Sequence, residues 1–256
     1  MLLALDVGNT NVTIGVFRGP EILRRWRLGT VRQRTVDEIG ILLHQLCQWG
    51  GIRERDIRGI VIGSVVPPLD GALREAVSTY LRAEPLFIGP GVRSGMPLKV
   101  DTPLELGADR LCNAVAAYDE HGGPCVVVDF GTATTWEVVS AKGEFLGGVI
   151  APGLEISAEA LFSRAAKLPR IELVAPERVI GKGTVDSMQA GLVLGYAGLV
   201  EGVTRRVLGE LGGGKVIATG GLGHVMARHT SVLEVVDDDL TLKGLRLLWE
   251  RNHRSR

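Results

Sequence analysis

Two stretches half a chain apart carry one pattern: "LALDVGNTNV" at residues 3–12 and "VVVDFGTATT" at residues 126–135. Each is an apolar run that ends in Asp-x-Gly and passes into small hydroxyl and amide residues. After the first turn Val12, Ile14 and Val16 alternate with smaller or polar residues, so the pattern reads strand, tight turn, strand. A chain that writes this device twice is constrained towards a duplicated α/β architecture.

The surrounding elements repeat in order too. In the first half, strands are expected at 2–7, 12–17 and 22–28, then a helix opened by the capping box Thr35-Val-Asp-Glu38 and running to Trp49. "GIVIGSVVP" (59–67) reads as a buried strand stopped by Pro67-Pro68, followed by a helix over 70–82 and a strand at 85–88. In the second half, strands fall at 124–129 and 134–140, and "EFLGGVIAPG" gives a third. Helices follow near 155–166 and 184–210, then strands at 215–221 and 232–237 and a last helix from Thr241. Two domains are expected, 1–117 and 118–256, bridged by a helix that begins near Gly107.

Charge narrows the partners. The chain carries 29 basic and 29 acidic side chains, so no electrostatic footprint for nucleic acid or an anionic membrane is expected. Cys47, Cys112 and Cys125 are far apart and the five histidines show no ligand spacing, which points to reduced thiols and no zinc-type site. The apolar stretch Ala190–Val200 is too short to span a bilayer, and with no basic n-region or cleavage site at the opening strand-like run no signal peptide is expected. A cytoplasmic protein is the expectation.

A tight turn between two strands exposes backbone N–H groups and small hydroxyls that can wrap phosphate oxygens. Glycine at 8 or 131 is expected to admit unusual dihedrals and a close ligand. The leading aspartates, Asp6 and Asp129, would repel phosphate unless a cation lies between. Two such turns facing one another would grip a nucleotide polyphosphate.

"DTPLELGADRLCNAVAAY" (101–118) places Gly107-Ala-Asp-Arg110 at a helix N-terminus. Asp109 there is either favourable helix-end charge or a base that accepts a hydroxyl proton, with Arg110 holding a substrate carboxylate. Thr184 either caps its helix or donates to a ligand, and Gly220-Gly221 is either a nucleotide approach or a plain strand-end turn. Arg18, Arg24, Arg25, Arg27, Arg32 and Arg34 read as a solvated hairpin face. Gly191, Gly195, Gly198 and Gly202 share one helix face, where each costs about 1 kcal/mol relative to alanine; close approach of another helix would offset it, expected from the same subunit.

With these residues in place the chain resembles the type III pantothenate kinases of the acetate and sugar kinase/heat-shock protein/actin superfamily. The resemblance runs through "DVGNTNVTIGVF", "GSVVPPL", "PLELGADRLCNAVAAY", "VVVDFGTATTWEVV", "GGVIAPGLEISAEALFSRAAKLPRIEL", "GKGTVDSMQAGLVLG" and "ATGGL". It implies duplicated ribonuclease H-like (actin-like ATPase) domains with mixed sheets flanked by helices. It also implies ATP-dependent phosphorylation of pantothenate, the first committed step of coenzyme A synthesis. By similarity Asp6, Val7, Gly8, Asn9, Thr10, Asn11, Val12 and Thr13 form the first phosphate loop, with Asp6 near the magnesium that accompanies ATP. Gly131 and Thr132 would contact ATP, and Asp129 would hold a monovalent cation, potassium or ammonium. Gly107, Ala108, Asp109, Arg110 and Thr184 would bind pantothenate, with Asp109 the catalytic base. Family members are homodimers, which draws the glycine-striped helix towards a subunit contact.

Two positions depart from the family pattern. Val100 stands where many members carry an aromatic, weakening the substrate contact expected there, and Gly183 stands where many carry asparagine. A catalytically silent, nucleotide-binding regulator of the same fold is the competing expectation, and a kinase for another small hydroxylated acid is a second. Retention of Asp6, Asp109, Arg110 and Asp129 together argues against the silent regulator.

Overall fold

The structure is a computed structural model that describes residues 1–253. By contact the chain groups into two units: Met1–Ala116 together with the chain from Asp239 on, and Ala117–Asp238. Among the described residues no helix is long and apolar enough to cross a membrane.

In the first unit β1 (Leu2–Val7) and β2 (Asn11–Arg18) form an antiparallel hairpin that β3 (Glu21–Gly29) extends. On the other side of β1, β4 (Gly59–Ser64) and β5 (Leu86–Ile88) add in parallel, giving the order β3-β2-β1-β4-β5. Leu2, Leu3, Ala4, Leu5 and Val7 are all buried, as a central strand covered on both faces requires. One face packs under α1 (Val36–Trp49) and α2 (Pro67–Leu81), with Leu3, Leu5, Ile14, Leu43, Leu73 and Val77 in the core. Thr35 and Glu38 cap α1 reciprocally, as their spacing predicts. Pro67-Pro68 does more than stop β4. The pair occupies the first turn of α2, where a missing N–H costs nothing, so this helix starts three residues before the expected Asp70.

The other face of that sheet is a bed of glycines. Leu242 lies 3.0 Å from where a Cβ on Gly15 would sit, and Leu245 lies 3.0 Å from one on Gly63. A Cβ on Gly59 would overlap the Trp249 ring. These three side chains belong to α8 (Leu240–His253). The closing helix, which chain order assigns to residues 118–256, therefore packs in the first unit. The division between the units falls inside α3 (Ala108–His121), at Ala116–Ala117.

The second unit repeats the plan. β6 (Cys125–Phe130), β7 (Ala133–Val139) and β8 (Phe145–Pro152) are antiparallel, while β9 (Lys215–Gly220) and β10 (Val235–Val236) add in parallel, giving β10-β9-β6-β7-β8. The helices are α4 (Leu154–Arg164), α5 (Thr184–Gln189), α6 (Gly195–Leu211) and the short α7 (Gly223–Met226). Val126, Val128, Phe130, Trp136, Val193 and Val200 form the core. The polar tip of the buried Trp136 is satisfied by Thr204 Oγ1 at 2.9 Å, and the Tyr196 hydroxyl donates to Thr134 Oγ1 at 2.5 Å.

Three expectations change here. The helix over 184–210 is interrupted by a π-helical turn at Ala190–Leu194, and the strand over 232–237 shortens to Val235–Val236. The glycine face, expected to press on a helix of the same subunit, meets none at three of its four positions, and at Gly202 it meets the Arg206 guanidinium of its own helix, 3.3 Å from where a Cβ would sit. Among the described residues nothing lies within 4 Å of a Cβ placed on Gly191, Gly195 or Gly198.

Candidate active site

The two Asp-x-Gly turns occupy equivalent places. Asp6 stands one residue before the end of β1, opposite Thr13 on β2 and Gly63 on β4. Asp129 stands one residue before the end of β6, opposite Thr135 on β7 and Thr219 on β9. Each aspartate thus sits beside the turn that follows it, on a strand fixed from both sides.

In the first turn Gly8 N–H donates to Asn11 O at 2.9 Å, with Asn9 and Thr10 exposed at the tip. A Cβ on Gly8 would stand 3.1 Å from that same oxygen, so glycine permits the tight closure. Val7 and Val12 are buried and anchor the turn to the core. In the second turn Gly131 N–H donates to Ala133 O at 3.1 Å, and Gly131 and Thr132 are exposed. Neither Gly8 nor Gly131 adopts positive φ, contrary to the dihedral argument from sequence. The special backbone is at Gly220, with φ +84°, where a Cβ would stand 2.5 Å from Asp129 Oδ1. The "ATGG" turn is therefore a close support of Asp129 within its own unit.

Asp109 lies in the first turn of α3, and the Arg110 N–H donates to its Oδ1 at 2.8 Å. Burial raises the Asp109 carboxyl above the ordinary aspartate range; the Arg110 N–H and charge pull it down less strongly. A Cβ on Gly107 would stand 2.5 Å from Asp109 Oδ1, so that position keeps the carboxylate's surroundings clear. Ala108 is buried 3.6 Å from a Cβ on Gly63, the β4 residue that pairs with Asp6. The start of α3 therefore lies over the strand ends that carry Asp6. Cys112, one turn further on, reports the same closeness: burial first, then the charges of Asp6 and Asp109, push its thiol well up. The two aspartates are thus brought into one electrostatic neighbourhood.

Thr184 is exposed and is the first residue of α5. The N-cap is Gly183, with no side-chain cap bond, so Thr184 does not serve as the cap. Val100 is half-buried in the irregular segment before Pro103. The arginine hairpin is partly tied down: Arg24 donates to Gly50 O, Arg25 pairs with Asp239 at 2.5 Å, and Arg32 donates to Asn9 Oδ1 at 3.0 Å.

Sequence reasoning missed two supports. Thr30, just after β3, donates its N–H to Thr10 O at 2.9 Å and its hydroxyl to Gly8 O at 2.6 Å. Gly153, just after β8, donates its N–H to Thr132 O at 3.0 Å. The shared signal was the position after the third strand of each half.

Thr135 and Thr219, the cross-strand partners of Asp129, carry only oxygen donors besides its carboxylate, and Gly220 comes so close that a Cβ there would stand 2.5 Å from Oδ1. Such a set suits a hard cation. Asp6, with Thr13 opposite, is likewise oxygen-only, and magnesium on a nucleotide needs no more than one or two carboxylates beside the phosphates. Among the described residues no cluster of three or more His, Cys, Asp or Glu forms a protein-only metal cage.

Residues 2–206 match the family model described as type III pantothenate kinase. A type III pantothenate kinase of Myxococcus xanthus strain DK1622 is 53% identical over 256 residues, covering 100% of both chains. Among solved structures, a protein described as a Baf family transcriptional activator from Campylobacter jejuni superposes with TM-score 0.61 at 20% identity, over 98% of each chain. The inorganic polyphosphate/ATP-glucomannokinase from Arthrobacter sp. strain KM gives 0.52 at 14% identity, over 98% of this chain and 97% of the other. At such identities the likeness is one of fold, that of the actin-like kinases. The full-length sequence match carries more: the chain belongs to the type III pantothenate kinases.

Proposed function

We propose that this chain transfers the γ-phosphoryl group of ATP to the primary hydroxyl of pantothenate, giving 4'-phosphopantothenate, the first step of coenzyme A biosynthesis. The observation that carries the reading is the full-length match to pantothenate kinases, in a chain that keeps both Asp-x-Gly turns and a half-buried Asp109 whose carboxyl is raised.

Phosphoryl transfer asks a protein chiefly for alignment and charge neutralisation. The turn Asp6–Thr13 and the pair Gly131–Thr132 would hold the phosphates through N–H groups and hydroxyls. Gly107, Ala108, Arg110 and Thr184 would orient pantothenate, with a weaker contact from Val100. The Arg110 guanidinium suits the pantothenate carboxylate bidentately. Asp109 would accept the hydroxyl proton; its raised pKa makes it a better acceptor than an exposed aspartate. Magnesium beside Asp6 and potassium or ammonium beside Asp129 would supply the positive charge that lets phosphates approach two carboxylates.

A homodimer fits the uncovered Gly191, Gly195 and Gly198, since glycines in a helix cost stability that a partner helix can offset. Sedimentation equilibrium at micromolar concentration tests it, and a monomer there contradicts it. A cytoplasmic location follows the same family reading; fractionation of cells expressing the tagged chain is the check.

The function is tested by phosphorus NMR of ATP, magnesium and pantothenate with the purified chain, in potassium and in sodium alone. A new phosphomonoester resonance, formed faster in potassium, is expected. A chain that binds ATP yet forms no such resonance in either salt would be the silent regulator.

A further inference from the structure

We infer that the segment after β3 is the positioning element of the first phosphate turn, with Thr30 and Arg32 setting nucleotide affinity through the turn and not by contact with nucleotide. The inference rests on the reading that Asp6–Thr13 binds ATP.

Three successive turn residues are held from this one segment. Thr30 takes Gly8 O with its hydroxyl at 2.6 Å and Thr10 O with its N–H at 2.9 Å, and Arg32 takes Asn9 Oδ1 at 3.0 Å. The backbone bond merely continues the β2–β3 ladder one step past the Asn11–Gly29 pair, and any residue other than proline would make it. The hydroxyl and guanidinium bonds depend on the side chains, so they are the informative ones.

Their consequence follows from peptide planarity. The C=O of one residue and the N–H of the next point opposite ways. With Gly8 O and Thr10 O both turned towards Thr30, the N–H groups of Asn9 and Asn11 are both turned away from it, to one side. N–H groups left facing one side of a turn are what an anion-binding turn requires. A turn already held in that form gives up little freedom when phosphate arrives, which raises affinity without a new contact.

The second unit uses the same position. Gly153, directly after β8, donates to Thr132 O, and a Cβ there would stand 2.5 Å from both Gly131 O and Thr132 O. The residue after the third strand braces the turn in both halves, with a threonine hydroxyl in one and a close glycine backbone in the other.

The test compares full-length wild type with Thr30→Val, Thr30→Ser and Arg32→Ala. Calorimetric Kd for ATP, KM for each substrate, kcat and the unfolding midpoint are read for each. Thr30→Val is expected to raise Kd and KM for ATP roughly tenfold, the loss of one side-chain hydrogen bond. KM for pantothenate should stay within about twofold, and Thr30→Ser should restore ATP affinity. Arg32→Ala should raise KM for ATP roughly threefold, as an exposed bond allows. Wild-type ATP affinity in Thr30→Val, an equal loss for both substrates, or no recovery with serine would overturn the inference. If Thr30→Val does not fold, wild-type ATP affinity in Arg32→Ala overturns it. A wild type that binds no ATP at all would instead overturn the assignment of the turn to nucleotide, and this inference with it.

Discussion

Asp109 shows how one residue can be costly and useful at once. Its carboxyl is raised by burial, so the folded chain holds that proton more tightly than the unfolded chain does. Stability then falls as pH climbs from the ordinary aspartate value to the raised one, and the cost persists above it. Asp109→Asn keeps an oxygen that can accept from the Arg110 N–H and removes the charge. Its unfolding midpoint should exceed that of wild type at pH 7, and the difference should vanish in acid below the ordinary aspartate range. A lower midpoint for the amide at neutral pH would show that the charge is well solvated in place. Activity should run the other way, lost as pH falls through the raised value. Both aspartates and the Gly107–Arg110 run were legible in sequence because strand ends and helix starts announce themselves by local pattern. Thr30 was not, because its acceptors are carbonyls 20 and 22 residues earlier, brought near only by the β2–β3 pairing.

At the scale of elements, glycine decides what may lie on what. A Cβ on Gly244 would overlap the Cys112 carbonyl, so α8 can cross α3 closely only without a side chain there. Thr241 adds a hydroxyl bond to the buried Asn113 of α3 at 2.7 Å. Because Asp109 lies in the first turn of α3, the crossing also steadies the proposed base. Gly244→Ala should cost about 1–3 kcal/mol, the usual range for overpacking, and lower the unfolding midpoint of the first unit. An unchanged midpoint would mean that α8 is free to shift. The periodicity that announced these helices says which face is buried but not against what. That is why the closing helix was expected in the wrong unit. The π-helical turn at Ala190–Leu194 escaped for a related reason, since a one-residue widening keeps the apolar spacing almost intact. The second helix was misplaced because Pro67-Pro68 was taken only as a stop, when proline is equally at home in a first turn.

Across the whole molecule, one plan is used twice. The orders β3-β2-β1-β4-β5 and β8-β7-β6-β9-β10 are the same, and each carries its aspartate one residue before the end of its first strand. Duplication was readable from the repeated strand-turn-strand run. The copies then diverged. Among the described residues the first alone is followed by a helix start carrying Gly107-Ala-Asp-Arg110, and the second alone sets a positive-φ glycine against its aspartate. The first therefore supplies the proposed proton acceptor and the second the proposed cation seat.

The measurement that tests the central claim most directly is pantothenate-dependent ADP release by wild type and Asp109→Asn side by side, with calorimetric ATP binding to each. Turnover by wild type that requires pantothenate, a kcat lowered about 10²- to 10⁴-fold in the amide, and ATP affinity unchanged between them are the predicted results. Turnover in the amide within threefold of wild type would remove Asp109 from the chemistry. No pantothenate-dependent ADP release by a wild type that binds ATP would contradict the kinase assignment itself.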